Sequence, residues 1–191
     1  MKSLVLDTST NLLYISFIEN DKVIYEVKTL GMNNHSDHLI ELIKEGLTKC
    51  SLEVKDFDRI IIGVGPGAYT GLRVSMSVAK MFAWTLNIPL YEISSLDLLT
   101  SGYKDNNKYL VCFKAKKGHV YNKSFIINDN HKIIENNESF MSDEEVNEKY
   151  NKEEYVVVTN ENINIDCLNI ESEIKKVDNI HALEPNYLRE C

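Results

Sequence analysis

The chain has 191 residues, with 21 Lys and Arg against 29 Asp and Glu, giving a formal net charge of −8. Nucleic-acid affinity rests largely on cations that neutralise phosphates, so this balance excludes a free-standing nucleic-acid binder in the absence of a basic stripe, and the sequence shows no such stripe. Hydrophobic residues make up 43% and charged residues 26%, which excludes wholesale disorder and suits one domain or two small lobes.

The opening Met1-Lys2-Ser3-Leu4-Val5-Leu6-Asp7 is too briefly apolar for a signal peptide. No stretch approaches the ~20 apolar residues that a spanning helix needs, so a soluble, cytoplasmic protein without a membrane partner is expected. Cys50, Cys112, Cys167 and Cys191 are scattered without a C-x-x-C pair. Buried free thiols are therefore expected rather than a zinc site or a disulfide framework.

Residues 2–7 (KSLVLD), 12–19 (LLYISFIE) and 22–30 (KVIYEVKTL) read as three strands of an antiparallel meander, broken by Thr8-Ser9-Thr10-Asn11 and by Asn20-Asp21. Leu39, Leu42, Ile43, Leu47 and Cys50 then recur at helical spacing behind Asn34, an N-cap candidate. Residues 59–64 (RIIIGV) predict a strand buried on both faces. A glycine-rich turn follows, then a helix over 70–86, a strand PLYEI opened by Pro89, the polar turn Ser94-Ser95 and a short helical stretch.

The polar stretch 102–108 is the expected boundary between a first lobe, 1–102, and a second, 103–191. Strands at 108–115, 118–127 and 131–135, a charged helix near 142–150 and a strand at 154–159 repeat the order β-β-β-α-β, which suggests a duplicated unit.

The most concentrated chemical signal is Gly63-Val64-Gly65-Pro66-Gly67-Ala68-Tyr69-Thr70-Gly71-Leu72-Arg73. A glycine-rich turn before a helix can cradle an anion on free N–H groups, and glycines equally suit a tight turn and close packing. The block is not a Walker A loop, and Pro66 removes a donor from the weak dinucleotide match of Gly63, Gly65 and Ala68. Asp7, followed by Thr8 and Ser9, is either a candidate Mg-nucleotide carboxylate or a member of a side-chain-capped turn. Arg73 opposes the helix dipole, so an acidic partner in this fold or in another chain is expected.

His35 and His38 lack the HExxH spacing of a zinc peptidase, and no metal is expected. Apolar residues occupy most of the circumference of helix 70–86, so a partner surface is expected over one side of it, touching Met76, Met81 and Trp84. Ile40 and Gly46 suggest the same for the helix before it.

The motifs LVLDTST, HSDHLIELI, GVGPGAYTGLRVSMSVAK, IPLYEISSLDLL and EPNYLR together resemble the TsaB (YeaZ) family, densely over residues 2–100 and thinly afterwards. The resemblance implies an α/β, actin-like fold of the sugar kinase/Hsp70, ribonuclease H-like type, with two related lobes and the second abbreviated. It implies a non-catalytic subunit that pairs with the catalytic paralogue TsaD for threonylcarbamoylation of the tRNA adenosine beside the anticodon. A TsaE-like ATPase joins that complex, tRNA is met only through it, and a homodimer through the same helices is left open.

The pairing surface implied is built from helices 35–50 and 70–86, with His35, Leu39, Ile40 and Ile43 on the first and Leu72, Arg73, Met76, Lys80, Met81 and Trp84 on the second. The residues matching the family motif are Asp7, Thr8, Ser9, Gly65, Pro66, Gly67, Thr70, Gly71 and Arg73. No cofactor is implied in the isolated subunit, a nucleotide at the subunit junction being left open. The alternative is an actin-like ATPase or phosphotransferase using Asp7 and the turn at 65–71. The chain departs from the family pattern at Lys114-Ala115-Lys116, where an Asp-Ala-Arg-like stretch is expected.

Overall fold

The computed structural model describes residues 1–30 and 35–188, except for the side chains of residues 35–37. The predicted N-cap Asn34, the side chain of His35 and Cys191 lie outside the described residues.

The meander forms as expected: β1 (Lys2–Asp7), β2 (Leu12–Glu19) and β3 (Lys22–Leu30) pair antiparallel in sequence order. Asn20 and Asp21 both take positive φ, the conformation that a two-residue hairpin of right-handed twist requires. α1 (His35–Cys50) crosses to β4 (Arg59–Gly63), parallel to β1, and α2 (Tyr69–Leu86) crosses to β5 (Leu90–Ile93), parallel to β4. After the short α3 (Ser95–Leu99), the pattern begins again. β6 (Asn107–Lys114), β7 (His119–Asn128) and β8 (His131–Ser142) form a second meander, turned at Asp129 and Asn130, again with positive φ. α4 (Asp143–Lys149) then leads to β9 (Val156–Val158), parallel to β6. The strand orders β5-β4-β1-β2-β3 and β9-β6-β7-β8 repeat one β-β-β-α-β unit, the actin-like arrangement, and the second copy stops sooner.

Two elements differ from expectation. β8 runs to Ser142 rather than ending at Glu135, because the amides that look like loop residues find partners: Asn136 donates to Ser124 Oγ and Asn122 donates to the Ser139 carbonyl. β10 (Lys175–Lys176), too short to be read from sequence, pairs with β5 and returns the chain's last segment to the first sheet.

The alternation of β1 explains how the layers assemble. Leu4 and Leu6 point to one face, where Leu13, Ile15, Phe17, Ile60 and Ile62 meet Leu39 and Ile43 of α1 and Ala79 and Ala83 of α2. Val5 points to the other, where Tyr14 and Ile61 join α3 and the inner face of the second sheet through Tyr109, Val111, Phe113 and Phe125. The first sheet is thus covered on both sides, each fully buried Leu or Ile contributing about 1.5–3 kcal/mol. A smaller cluster lies under α4, where burial pushes the Cys112 thiol up to about 11. Cys50, Cys112 and Cys167 are free thiols, the last two buried.

Candidate functional site

The parallel pairing of β1, β4 and β5 sets their carboxyl ends side by side, and the motif residues converge there. Asp7, wholly buried at the end of β1, accepts hydrogen bonds from the Ser9 amide (2.8 Å) and Ser9 hydroxyl (2.6 Å) on one oxygen and from the Ser95 hydroxyl (2.6 Å) on the other. The Gly65 amide donates to Ser95 Oγ, and the Ser95 amide returns a bond to the Gly65 carbonyl. Thr8 Oγ1 donates to the Gly71 carbonyl at 2.6 Å, and the Ala68 amide donates to the Ser9 carbonyl.

The glycines are explained by this interlock. A Cβ on Gly63 would sit 1.8 Å from Asp7 Oδ2, one on Gly67 2.3 Å from the Ser9 carbonyl oxygen, and one on Gly71 1.9 Å from the Thr8 carbonyl oxygen. The turn packs against residues 7–9, and the Asp7 carboxylate has no exposed surface to offer a Mg-nucleotide. Among the described residues, no group of three or more His, Cys, Asp or Glu is placed to hold a metal ion, and His38 lies against Glu41.

Beside this interlock, a cleft of about 470 Å³ lies between the two sheets, bounded by Gly65, Ser94, Lys123, Glu138, Lys175 and Asn186 among others. Asp97 of α3 holds Lys123 of β7 through both oxygens (2.8 and 2.7 Å) and Lys132 of β8 at 2.5 Å. Burial opposes the charge on Asp97, but Lys132 and Lys123 outweigh it and hold the carboxyl below the usual carboxylate range. Glu138, which accepts from Ser94 and Asn186, is pushed upward by its own burial. Sequence reading missed this cluster, because Asp97, Lys123 and Glu138 are distant along the chain and each looks like an ordinary surface charge.

α2 answers the question of which side of the helix is covered. Leu72, Met76, Ala79 and Ala83 form one buried stripe against the sheet, as do Leu39 and Ile43 of α1. The expectation that Leu39, Ile43, Leu72 and Met76 lie on a partner surface is corrected accordingly: they are at most 4% exposed and are used in the protein's own core. Gly46 likewise serves close approach within the chain, since a Cβ there would lie 2.5 Å from the Tyr25 ring and 2.8 Å from that of Phe17. Ile40, Met81 and Trp84 do face outward, at 43, 48 and 65% exposure, and Tyr69 and Leu86, which the sequence did not place on the partner surface, are exposed at the two ends of α2.

Lys80 and Arg73 are engaged by the chain's own last segment. Lys80 Nζ donates to the carbonyls of His181 and Leu183, both at 3.1 Å. Arg73, for which an acidic partner was expected, lies over the Tyr69 ring (4.1 Å) and donates from Nε to the Tyr187 hydroxyl (3.0 Å).

These features define a two-lobed actin-like protein with an exposed helical face and a cleft bridged by its own charges. A family model described as TsaD, tRNA N6-adenosine threonylcarbamoyltransferase, matches residues 27–180. The tRNA threonylcarbamoyladenosine biosynthesis protein TsaB of Bacillus subtilis (strain 168) is 35% identical over 122 residues, 63% of this chain and 53% of that protein. Its namesake in Buchnera aphidicola subsp. Schizaphis graminum (strain Sg) is 30% identical over 130 residues, 66% of this chain and 61% of that one. The chain thus spans little more than half the length of these curated relatives. A solved structure, described as an uncharacterized protein with similarity to peptidase YeaZ from Pseudomonas aeruginosa, superposes with a TM-score of 0.80 at 18% identity, covering 98% of this chain and 99% of that one. The chain belongs to the family that the TsaD model describes and, within it, to the TsaB (YeaZ) proteins. Among the described residues, no helix is long and apolar enough to cross a membrane.

Proposed function

We propose that this chain acts in tRNA threonylcarbamoyladenosine biosynthesis as a non-catalytic subunit that docks on a TsaD-like catalytic paralogue through the outer faces of α1 and α2. The observation that carries this reading is the set of large apolar side chains left exposed on the outer faces of α1 and α2, Ile40, Met81 and Trp84, with Tyr69 and Leu86 exposed at the two ends of α2, on helices whose inner faces are already packed. Such a surface is costly in water and typical of an interface core. The enclosure of Asp7 supports the same reading, because a wholly buried carboxylate that already accepts three hydrogen bonds has little lone-pair surface open to Mg²⁺. The chain would supply shape, its partner the reacting groups, with a TsaE-like ATPase and tRNA meeting the assembled complex.

The test is size-exclusion chromatography with light scattering on the protein alone and mixed with the TsaD-like paralogue from the same genome, followed by a tRNA-modification assay of each. A one-to-one complex required for modification supports the proposal. ATP hydrolysis or tRNA modification by the isolated chain, or the absence of any complex, overturns it. A homodimer that the paralogue displaces would indicate that both partners use the same helices.

A further inference from the structure

After β10 the chain runs back across α2. Val177, Ile180 and Leu183 pack with the helix-side core. His181 meets the Trp84 ring edge-on at 5.4 Å, and Lys80 clamps the strap through the two carbonyls on either side of Ala182. Further on, Tyr187 stacks on Tyr69 at 5.0 Å while its hydroxyl accepts from Arg73. Between these anchor points the strap touches the cleft: the Asn186 amide donates to the Val64 carbonyl at 2.7 Å, and its side chain donates to Glu138. The two most exposed aromatic rings of α2, Tyr69 and Trp84, therefore each lean on one ring of the strap.

We infer that residues 177–188 form a positioning strap for the docking face, setting the orientation of Trp84, Tyr69 and Arg73 before the TsaD-like partner arrives. This inference rests on the docking reading given above. An exposed Trp or Arg that samples several rotamers must be ordered on binding, at a cost to affinity. A ring packed against each one removes much of that cost in advance. The occupant is the same paralogue, because the strap is continuous with the outer face of α2 and adds its own half-exposed groups to the rim of that surface.

The experiment measures the dissociation constant for the paralogue by titration calorimetry, with thermal melting of each free variant. His181→Ala and Tyr187→Ala are each expected to weaken association about tenfold, as loss of an aromatic pair would. Tyr187→Phe, which keeps the stack and loses the Arg73 acceptor, should recover most of the loss. Trp84→Glu is the control for the docking face itself. If Trp84→Glu abolishes binding while both strap variants bind as wild type, the strap inference fails and the docking reading stands. If Trp84→Glu binds normally, the docking reading fails and takes the strap with it. If the strap variants lower the melting temperature with no change in affinity, the strap is structural only and the inference is overturned.

Discussion

The Lys123 ammonium sits 2.8 and 2.7 Å from the two oxygens of the Asp97 carboxylate, and both residues are only 7% exposed. The pair joins α3, packed beneath the first sheet, to the central hairpin of the second, so the cleft between the lobes is bridged by the chain's own cation. Removing Lys123 takes both of its hydrogen bonds from a buried carboxylate and leaves Lys132 as the remaining counter-charge. Lys123→Met is expected to destabilise the fold by roughly 1.5–3 kcal/mol, because Lys132 still faces the carboxylate, and the double variant Asp97→Leu/Lys123→Met by less. Urea unfolding of the two single variants and the double variant measures the difference. A single variant as stable as wild type would show that the bridge is not what holds the lobes together.

The same cluster gives two pH dependences of opposite sign. Asp97 has a depressed folded pKa, so its stabilisation is present above its unfolded value, about 3.9, and is lost as pH falls through the folded value. The stability gap between wild type and Asp97→Asn should therefore narrow below about pH 4. Glu138 has a raised folded pKa, so the native state binds the extra proton and stability falls as pH rises from about 4.3 through the folded value. Glu138→Gln should gain on wild type over that interval. Denaturation midpoints between pH 3 and pH 7 read both, and a pH-independent difference for either variant would refute the corresponding assignment.

The glycine block separates a packing role from a ligand role. At Gly71 an added Cβ meets the backbone carbonyl oxygen of Thr8 at 1.9 Å, which a side-chain rotation cannot relieve. Gly71→Ala is expected to cost roughly 3 kcal/mol or more. Gly118 has positive φ (+68°) but open space, its nearest neighbour being Asp143 at 3.8 Å, so Gly118→Ala should cost only about 1–2 kcal/mol. Thermal melts of the two variants check the ranking.

How far these features were legible in the sequence follows from the range of the forces that set them. β1 to β4 and the first two helices carry their period in the sequence: alternation or apolar runs for strands, and the Leu39, Ile43 spacing for α1. The turn at 63–73 was visible as glycine-rich, but its purpose was not, because Ser95, which completes the shell of Asp7, lies 88 residues along the chain. Polar pairing across β7 and β8 concealed half of β8. The strap was hidden for a related reason: Ile180 and Leu183 are too sparse to show a period, and Tyr187 has a role only against Tyr69 and Arg73. Apolarity all round α2 predicted a partner surface over its outer side, and part of that side is covered by the chain's own residues 177–188.

The division of α2 and α1 into inner and outer faces yields the sharpest test. Trp84 and Met81 are 65 and 48% exposed, so the new carboxylate of Trp84→Glu or Met81→Glu lies in water. The free chain should change in stability by no more than about 0.5 kcal/mol for Met81→Glu and by about 0.5–1.5 kcal/mol for Trp84→Glu, which also loses the His181 ring contact. In the complex, the same carboxylate is desolvated without a partner, and association with the TsaD-like paralogue should fall by at least about thirtyfold. Leu72 and Met76, one turn apart on the inner stripe, are 0 and 4% exposed, and glutamate at either should unfold the chain. Circular dichroism of the free variants and co-purification with the paralogue distinguish the two classes. Normal co-purification of both outer variants would place the docking face elsewhere, because an interface built on this face cannot absorb a buried, unpaired charge at its centre.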